Sequence, residues 1–161
     1  MTLLTKDYAV RVYGSPAPKG SLKCIGARGK QRHVLIEDNA NTKPWRELVE
    51  KAGRALPIAG LEGPVGVEVT LTLPRPKSHY GTGRNATVLK PTSPLWPISH
   101  QAGDTDKLGR TVLDGLQDAE LFADDCLVVE LTGRKVYPDT PGAVDRLDKP
   151  GAVIRIYPIG T

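Results

Sequence analysis

Between Val65 and Leu73 the sequence alternates without a break: Val65, Val67, Val69, Leu71 and Leu73 fall on one side, Gly66, Glu68, Thr70 and Thr72 on the other. A period of two marks an extended strand with one face turned to a core. The chain must therefore build a sheet and supply something apolar to lie on it. Two segments have the helical period that does so. Thr42 to Ala59, TKPWRELVEKAGRALPIA, lines up Trp45, Leu48, Val49, Ala52 and Leu56, with Pro44 in the first turn and Pro57 and Gly60 as the stop. Asp106 to Gln117 lines up Leu108, Val112, Leu113 and Leu116. Further strands are expected at Tyr8 to Tyr13, at Cys126 to Leu131 with an extension to Tyr137, and at Ala152 to Tyr157; the nearly continuous apolar run after Cys126 reads as a central strand. This order predicts an α+β fold, a small α/β layer domain with a mixed sheet and two main helices over one face. A length of 161 residues suits a single domain spanning 1–161.

The connections carry the charge. Residues 14–33 form a basic, glycine-containing loop with Lys19, Lys23, Arg28, Lys30 and Arg32, bent as a hairpin that ends at 33–36. Residues 74–103 form a second, with Arg75, Lys77, His79, Arg84 and Lys90 among five prolines. Thirty residues exceed a normal connection and point to a functional or mobile loop. Tyr80 and Trp96 in it are placed either to stack on nucleobases or, for Trp96, to anchor the loop on the core. Residues 1–103 hold 15 Lys or Arg against 7 Asp or Glu, whereas residues 104–161 hold 7 against 11. The overall charge of +4 is thus the remainder of a basic part and an acidic part. Such a division suits a surface that holds a phosphate backbone and carboxylates that hold a divalent cation against it. Arg134 and Lys135 either extend the basic surface or solvate a strand edge.

Other chemistries are disfavoured. Two cysteines, Cys24 and Cys126, and three scattered histidines propose neither a disulfide framework nor a zinc site. The Gly-x-Gly-x-x-Gly and Walker signatures are absent from the sequence. Without a signal-like start or a long apolar run, a cytoplasmic protein that does not enter the membrane is the expectation.

Seven acids lie between Asp104 and Asp125 against two bases, Lys107 and Arg110. Asp104 and Asp106 stand just before the second helix, Asp124 and Asp125 just before a strand, and a helical return is expected to bring the pairs toward each other. Three or four carboxylates around Mg²⁺ fit metal-assisted phosphodiester hydrolysis, because hard oxygen ligands suit that ion and the ion polarises phosphate and activates water. The plainer reading makes Asp106 or Asp104 a helix cap and Asp124-Asp125 a polar turn. Arg110, one turn after Asp106, either clamps a phosphate or pairs with Asp106 or Asp114.

At these residues the sequence resembles the RusA family of Holliday junction resolvases, endodeoxyribonucleases of bacteria and phages. The resemblance rests on Asp104-Thr105-Asp106 before a helix containing Leu108, Asp114 and Leu116, and on Asp124-Asp125 before Val128 and Val129. It implies that Asp104, Asp106 and Asp125 are the catalytic metal-binding acids, with Asp124 an adjacent supporting ligand. It implies Mg²⁺, with Mn²⁺ as the alternative, and a homodimer that makes paired nicks in branched DNA, especially four-way junctions. Lys19, Lys23, Arg28, Lys30, Arg32, Arg75, Lys77, Arg84, Lys90 and Lys107 are then the candidate DNA contacts. Two positions depart from the family pattern: Arg110 stands where lysine is usual, and Lys107 where asparagine is usual. Arginine keeps the charge and binds phosphate bidentately but is a poor proton donor. A nuclease for flaps or forks and a catalytically weak junction-binding protein remain alternatives.

Overall fold

A computed structural model describes residues 7–20, 22–25, 34–37 and 39–160, with side chains described outside 22–25 and 34–37. Its centre is the alternating segment, strand β4 (Val65–Thr72). On one side β4 pairs antiparallel with β6 (Gly151–Pro158), which pairs antiparallel with β1 (Tyr8–Tyr13); on the other it pairs parallel with β5 (Val128–Val136). The mixed four-stranded sheet therefore runs β1-β6-β4-β5. Strands β2 (Leu22–Ile25) and β3 (Val34–Glu37) form a separate antiparallel hairpin within the first basic loop. The α+β architecture expected from the hydrophobic periods is the one observed. Among the described residues no helix is long and apolar enough to cross a membrane.

Helices α1 (Thr42–Arg54) and α2 (Thr105–Asp118) lie on the face of β4 that carries its valines. The register aligns Val10, Ile154 and Val69 across three strands, and this apolar row meets Trp45 and Val49 of α1 and Leu108, Val112 and Leu116 of α2 in one core. The two helices approach closely because glycine stands at their contact. A Cβ at Gly115 would lie 2.8 Å from the Val49 side chain and 3.0 Å from the Arg46 carbonyl oxygen; one at Gly53 would lie 2.8 Å from the Ala119 Cβ. Beside this contact Arg46 grips the Asp118 carboxylate with Nε and with Nη2, the latter at 2.7 Å, and Arg54 donates to the Asp118 carbonyl oxygen at 2.8 Å. The hydrogen bonds from Arg46, opposed by partial burial and aided by the charges of Arg46 and Arg54, hold the Asp118 carboxyl below its ordinary range.

Two expectations need correction. Helix α1 stops at Arg54 rather than Ala59, because the residue before Pro57 is disfavoured in helical conformation and Pro57 has no N–H to continue the ladder. The strand after Cys126 begins at Val128, following a short 3-10 turn at Asp125–Leu127, and it is an edge strand, not a central one. Val129 and Leu131 are accordingly 60% and 45% exposed. The central places belong to β4 and β6. Even the polar face of β4 is mostly covered: the backbone N–H of Leu147 donates to Thr72 Oγ1 at 3.0 Å, and the Tyr157 ring lies where a side chain on Gly66 would stand.

Replacing Gly115 by Val forces α1 and α2 apart, and about 2 kcal/mol of stability should be lost in urea unfolding. Acid should also destabilise the fold through Asp118. A lowered folded pKa gives stability that is complete above the unfolded carboxyl range near pH 4 and disappears as pH falls through the folded value. Between about pH 5 and 3 the unfolding midpoint of Asp118→Asn should therefore fall less than that of the wild type.

Candidate active site

The acidic start of α2 is set by one backbone turn and two hydrogen bonds. Gly103 takes a positive φ of 76°, a turn that glycine makes without strain, and delivers the chain into the helix. Lys135 Nζ donates to the Gly103 carbonyl oxygen at 2.7 Å, and the Lys19 N–H donates to the Lys107 carbonyl oxygen at 3.1 Å. Asp104 occupies the N-cap position with extended backbone, yet its carboxylate caps nothing and instead pairs with Lys107 Nζ at 3.1 Å, both side chains being more than half exposed. Asp106 in the first turn and Arg110 one turn later are exposed. Neither makes an ion pair among the described residues, so the pairing of Arg110 with Asp106 or Asp114 is not realised. Asp114 is taken by Lys19 Nζ at 2.9 Å, with Arg46 at 4.0 Å. An exposed guanidinium one turn from two carboxylates leaves its N–H fork available to an anion.

Asp124 and Asp125 stand at the other end of α2. Asp124 Oδ1 accepts the backbone N–H of Cys126 at 2.9 Å, and this bond holds its carboxyl below the ordinary range while the Asp124 side chain pushes the neighbouring Cys126 thiol up. The polar-turn reading thus describes Asp124 well. The expected convergence of the two acidic pairs within one chain does not occur. Helix α2 has 14 residues and so carries the chain about 21 Å from Asp104. The turn beyond α2 stays at that far end, since Gly60 and Leu61 donate to the carbonyl oxygens of Glu120 and Leu121 at 3.0 and 2.7 Å. Among the described residues no group of three His, Cys, Asp or Glu is placed to hold one metal ion. Asp104 and Asp106 by themselves supply hard anionic oxygens of the kind Mg²⁺ takes, and that ion commonly keeps several waters beside one or two carboxylates. The residues present therefore fit a divalent cation at the start of α2, as part of a ligand set.

The candidate DNA contacts divide. Lys77 and Arg84 are exposed on the long loop, and Lys107 is half exposed beside Asp104. Lys90 is exposed but donates to the Ser78 carbonyl oxygen at 2.8 Å, and Lys19 is committed to Asp114. Lys23, Arg28, Lys30 and Arg32 lie outside the residues whose side chains are described. Arg75 is a correction: its side chain is only 3% exposed, bound to Asp139 at 3.0 and 2.7 Å, to the Pro94 carbonyl oxygen at 2.8 Å and to His79 Nδ1 at 3.1 Å, and stacked 4.1 Å from the Tyr137 ring centre. It ties the long loop to the end of β5 rather than offering charge to solvent. Residues 74–103 consequently contain organised structure, including short 3-10 turns and a Tyr80–Leu89 bridge. Trp96 is 45% exposed, so it is only partly an anchor.

Beside Asp104 opens a cleft of about 500 Å³ whose lining includes Pro18, Asn41, Arg75, His100, Gly103 and Tyr137. Sequence reasoning missed it because separated stretches of chain assemble it, and no local pattern joins them. The family model described as Endodeoxyribonuclease RusA matches residues 15–145, which includes both acidic pairs, the long loop and the whole β4-α2-β5 unit. The chain belongs to the RusA endodeoxyribonuclease family. It is by that membership a DNA-cleaving enzyme, in a family whose members bind DNA junctions and are generally dependent on divalent metal. No curated protein matches the chain.

Truncating Arg75 to Ala leaves Asp139 and the Pro94 carbonyl oxygen without their donor, and a loss of about 2 kcal/mol is expected in thermal or urea unfolding. DNA affinity of the folded fraction, measured by fluorescence anisotropy, should stay unchanged.

Proposed function

We propose that the protein is a Mg²⁺-dependent Holliday junction resolvase, a single RusA-like domain that works as a homodimer and hydrolyses a phosphodiester bond in each of two strands of a four-way junction. The observation that carries this reading is the pair Asp104 and Asp106, exposed at the start of α2 with Arg110 one turn on, inside a chain that matches the RusA family. Asp104 and Asp106 are the proposed ligands of the cation at the start of α2, and Asp125, supported by Asp124, is the proposed third acid; because it stands at the other end of α2 in its own chain, it would join them from the second subunit of the homodimer. When bound, the cation supplies Lewis-acid polarisation of phosphate and a more acidic water. Mn²⁺ has the same oxygen-ligand preference and is expected to substitute.

The chain's own side chains have separate tasks in this mechanism. Arg110 presents a planar fork to non-bridging phosphate oxygens and stabilises the charge that grows on them as the bond breaks. An arginine stays protonated, so this residue is a clamp and not the acid that protonates the departing oxygen. Lys107 neutralises Asp104 in the free protein, and DNA phosphate would compete for the same ammonium group. Lys77, Arg84 and the basic hairpin track the phosphate backbone, a task that needs charge and position but no base contact. A junction is then distinguished by where several backbones lie relative to one another.

Asp104→Asn, Asp106→Asn and Asp125→Asn should each reduce cleavage of a labelled four-way junction by about a hundredfold or more, as should EDTA, while junction binding persists. Cutting by the wild type that survives EDTA, or binding without any cutting in Mg²⁺, would overturn the proposal; faster cutting of flaps or forks than of junctions would reassign the substrate. Combined Lys77→Ala and Arg84→Ala substitutions should weaken binding and flatten its dependence on salt by about two units of slope.

A further inference from the structure

The loop of residues 74–103 raises an apolar crest that neither the core nor the acidic pair uses. Leu95, Trp96 and Ile98 are 58%, 45% and 77% exposed, while Pro97 between them is buried and seats the segment on the protein. The crest is kept outward because its backbone is pinned. Arg75 donates to the Pro94 carbonyl oxygen at 2.8 Å, and the buried Thr140 donates through Oγ1 to the Leu95 carbonyl oxygen at 2.8 Å while accepting the Tyr137 N–H. The Ile98 N–H then closes a tight turn on the Trp96 carbonyl oxygen at 3.0 Å. Apolar side chains on a segment already fixed in this way have less order left to lose when they meet a partner. We infer that Leu95, Trp96 and Ile98 form a wedge that stacks on bases left open at a DNA branch point, so that this loop selects branched DNA over duplex. The inference rests on the junction-binding part of the reading above and names the contact that recognises the branch.

Charge selects nucleic acid as the occupant. Residues 74–103 contain Arg75, Lys77, Arg84 and Lys90 and no Asp or Glu. Arg75 is bound to Asp139, but Lys77 and Arg84 are exposed on the same loop, and Lys107 and Arg110 follow it. A contact of this loop with itself in a second copy would oppose like charges. A nucleic acid instead offers phosphates to the cations and flat apolar faces to the crest. In duplex DNA those faces are stacked on one another, and unstacking a step costs about as much as an aromatic contact returns. At a branch the stacking is already interrupted, so the same contact is a net gain there. The place of the crest suits this role. From Ile98 the chain reaches Asp104 through Ser99, the 3-10 turn His100–Ala102 and Gly103, which limits their separation to about 18 Å. A base held at the crest is therefore within a few nucleotides of a phosphate at Asp104 and Asp106.

The test measures DNA binding by the full chain, in EDTA so that metal-dependent cutting does not intervene. Trp96→Ala and Ile98→Ser should each weaken binding of a four-way junction by about tenfold in fluorescence anisotropy, and of a matched duplex by less than about twofold. The salt dependence should keep its slope, because no phosphate contact is lost. Trp96→Phe should hold junction affinity within about threefold, since a flat ring remains. A second measurement uses the unaltered protein. The chain has two tryptophans and Trp45 is only 1% exposed, so emission that falls on adding junction but not duplex reports stacking on Trp96, and Trp96→Phe should abolish the fall. Unquenched emission with a tightly bound junction, or equal losses of affinity on junction and duplex, overturns the wedge and leaves the junction reading standing. Self-association lost in Ile98→Ser by sedimentation without DNA, with junction selectivity unchanged, overturns it in favour of a contact between copies. A wild type that binds duplex and junction alike overturns the junction reading and the wedge with it. Junction-selective binding that needs Trp96, beside a wild type that cuts no DNA in Mg²⁺, overturns the nuclease reading while the wedge stands.

Discussion

Parallel pairing of β4 with β5 is the constraint on which the rest depends. Two parallel neighbours cannot be joined by a tight turn, so the chain must cross from the end of one to the start of the other. Helix α2 makes that crossing, and its direction follows: it begins where β4 ends and finishes where β5 begins. Asp104 and Asp106 are placed at one end of the layer and Asp124 and Asp125 at the other by the same requirement. The apolar stripe of α2 fixes which way the remaining residues look. Leu108, Val112 and Leu116 go into the core, which leaves Asp106 and Arg110 facing solvent together.

Charge is used for two purposes that composition cannot separate. Part of the basic excess holds the protein together: Arg46 bonds Asp118 between the helices, Arg155 bonds Asp145 at 2.7 Å over the sheet, and Arg75 closes the long loop on Asp139 and Tyr137. Each donates in a bidentate or multiple arrangement, the geometry in which guanidinium outperforms ammonium. Lys77, Arg84 and Arg110 instead project outward, and their exposed stems lie away from the core that the two helices and the sheet enclose.

Some elements are legible in the residues because they are local. The period of two over Val65 to Leu73 and the helical stripes at Trp45 and Leu108 each express a face that must be buried, and the sheet and both helices appear where those faces fall. The end of α1 is less legible because Leu56 and Ile58 prolong the apolar pattern past Pro57, where the backbone cannot follow. The place of β5 is hidden for a related reason: Val128, Val129 and Leu131 read as buried on both sides, but hydrophobicity does not say which strand takes the edge. Arg75 reads as one more loop cation because its partners are distant in sequence, Asp139 by 64 residues.

The sequence by itself determined the chemistry available: which residues alternate, which helix carries the exposed acids and arginine, and the Asp104-x-Asp106 and Asp124-Asp125 arrangement on which the resemblance to the RusA family rests. These are statements about residue type and short spacing, and a linear chain carries them directly. Only the tertiary structure decided what lies near what. It set the two acidic pairs at opposite ends of α2, a helix about 21 Å long, buried Arg75, and put β5 on the edge, because distances across a fold depend on strand direction and layer packing, which no single segment encodes.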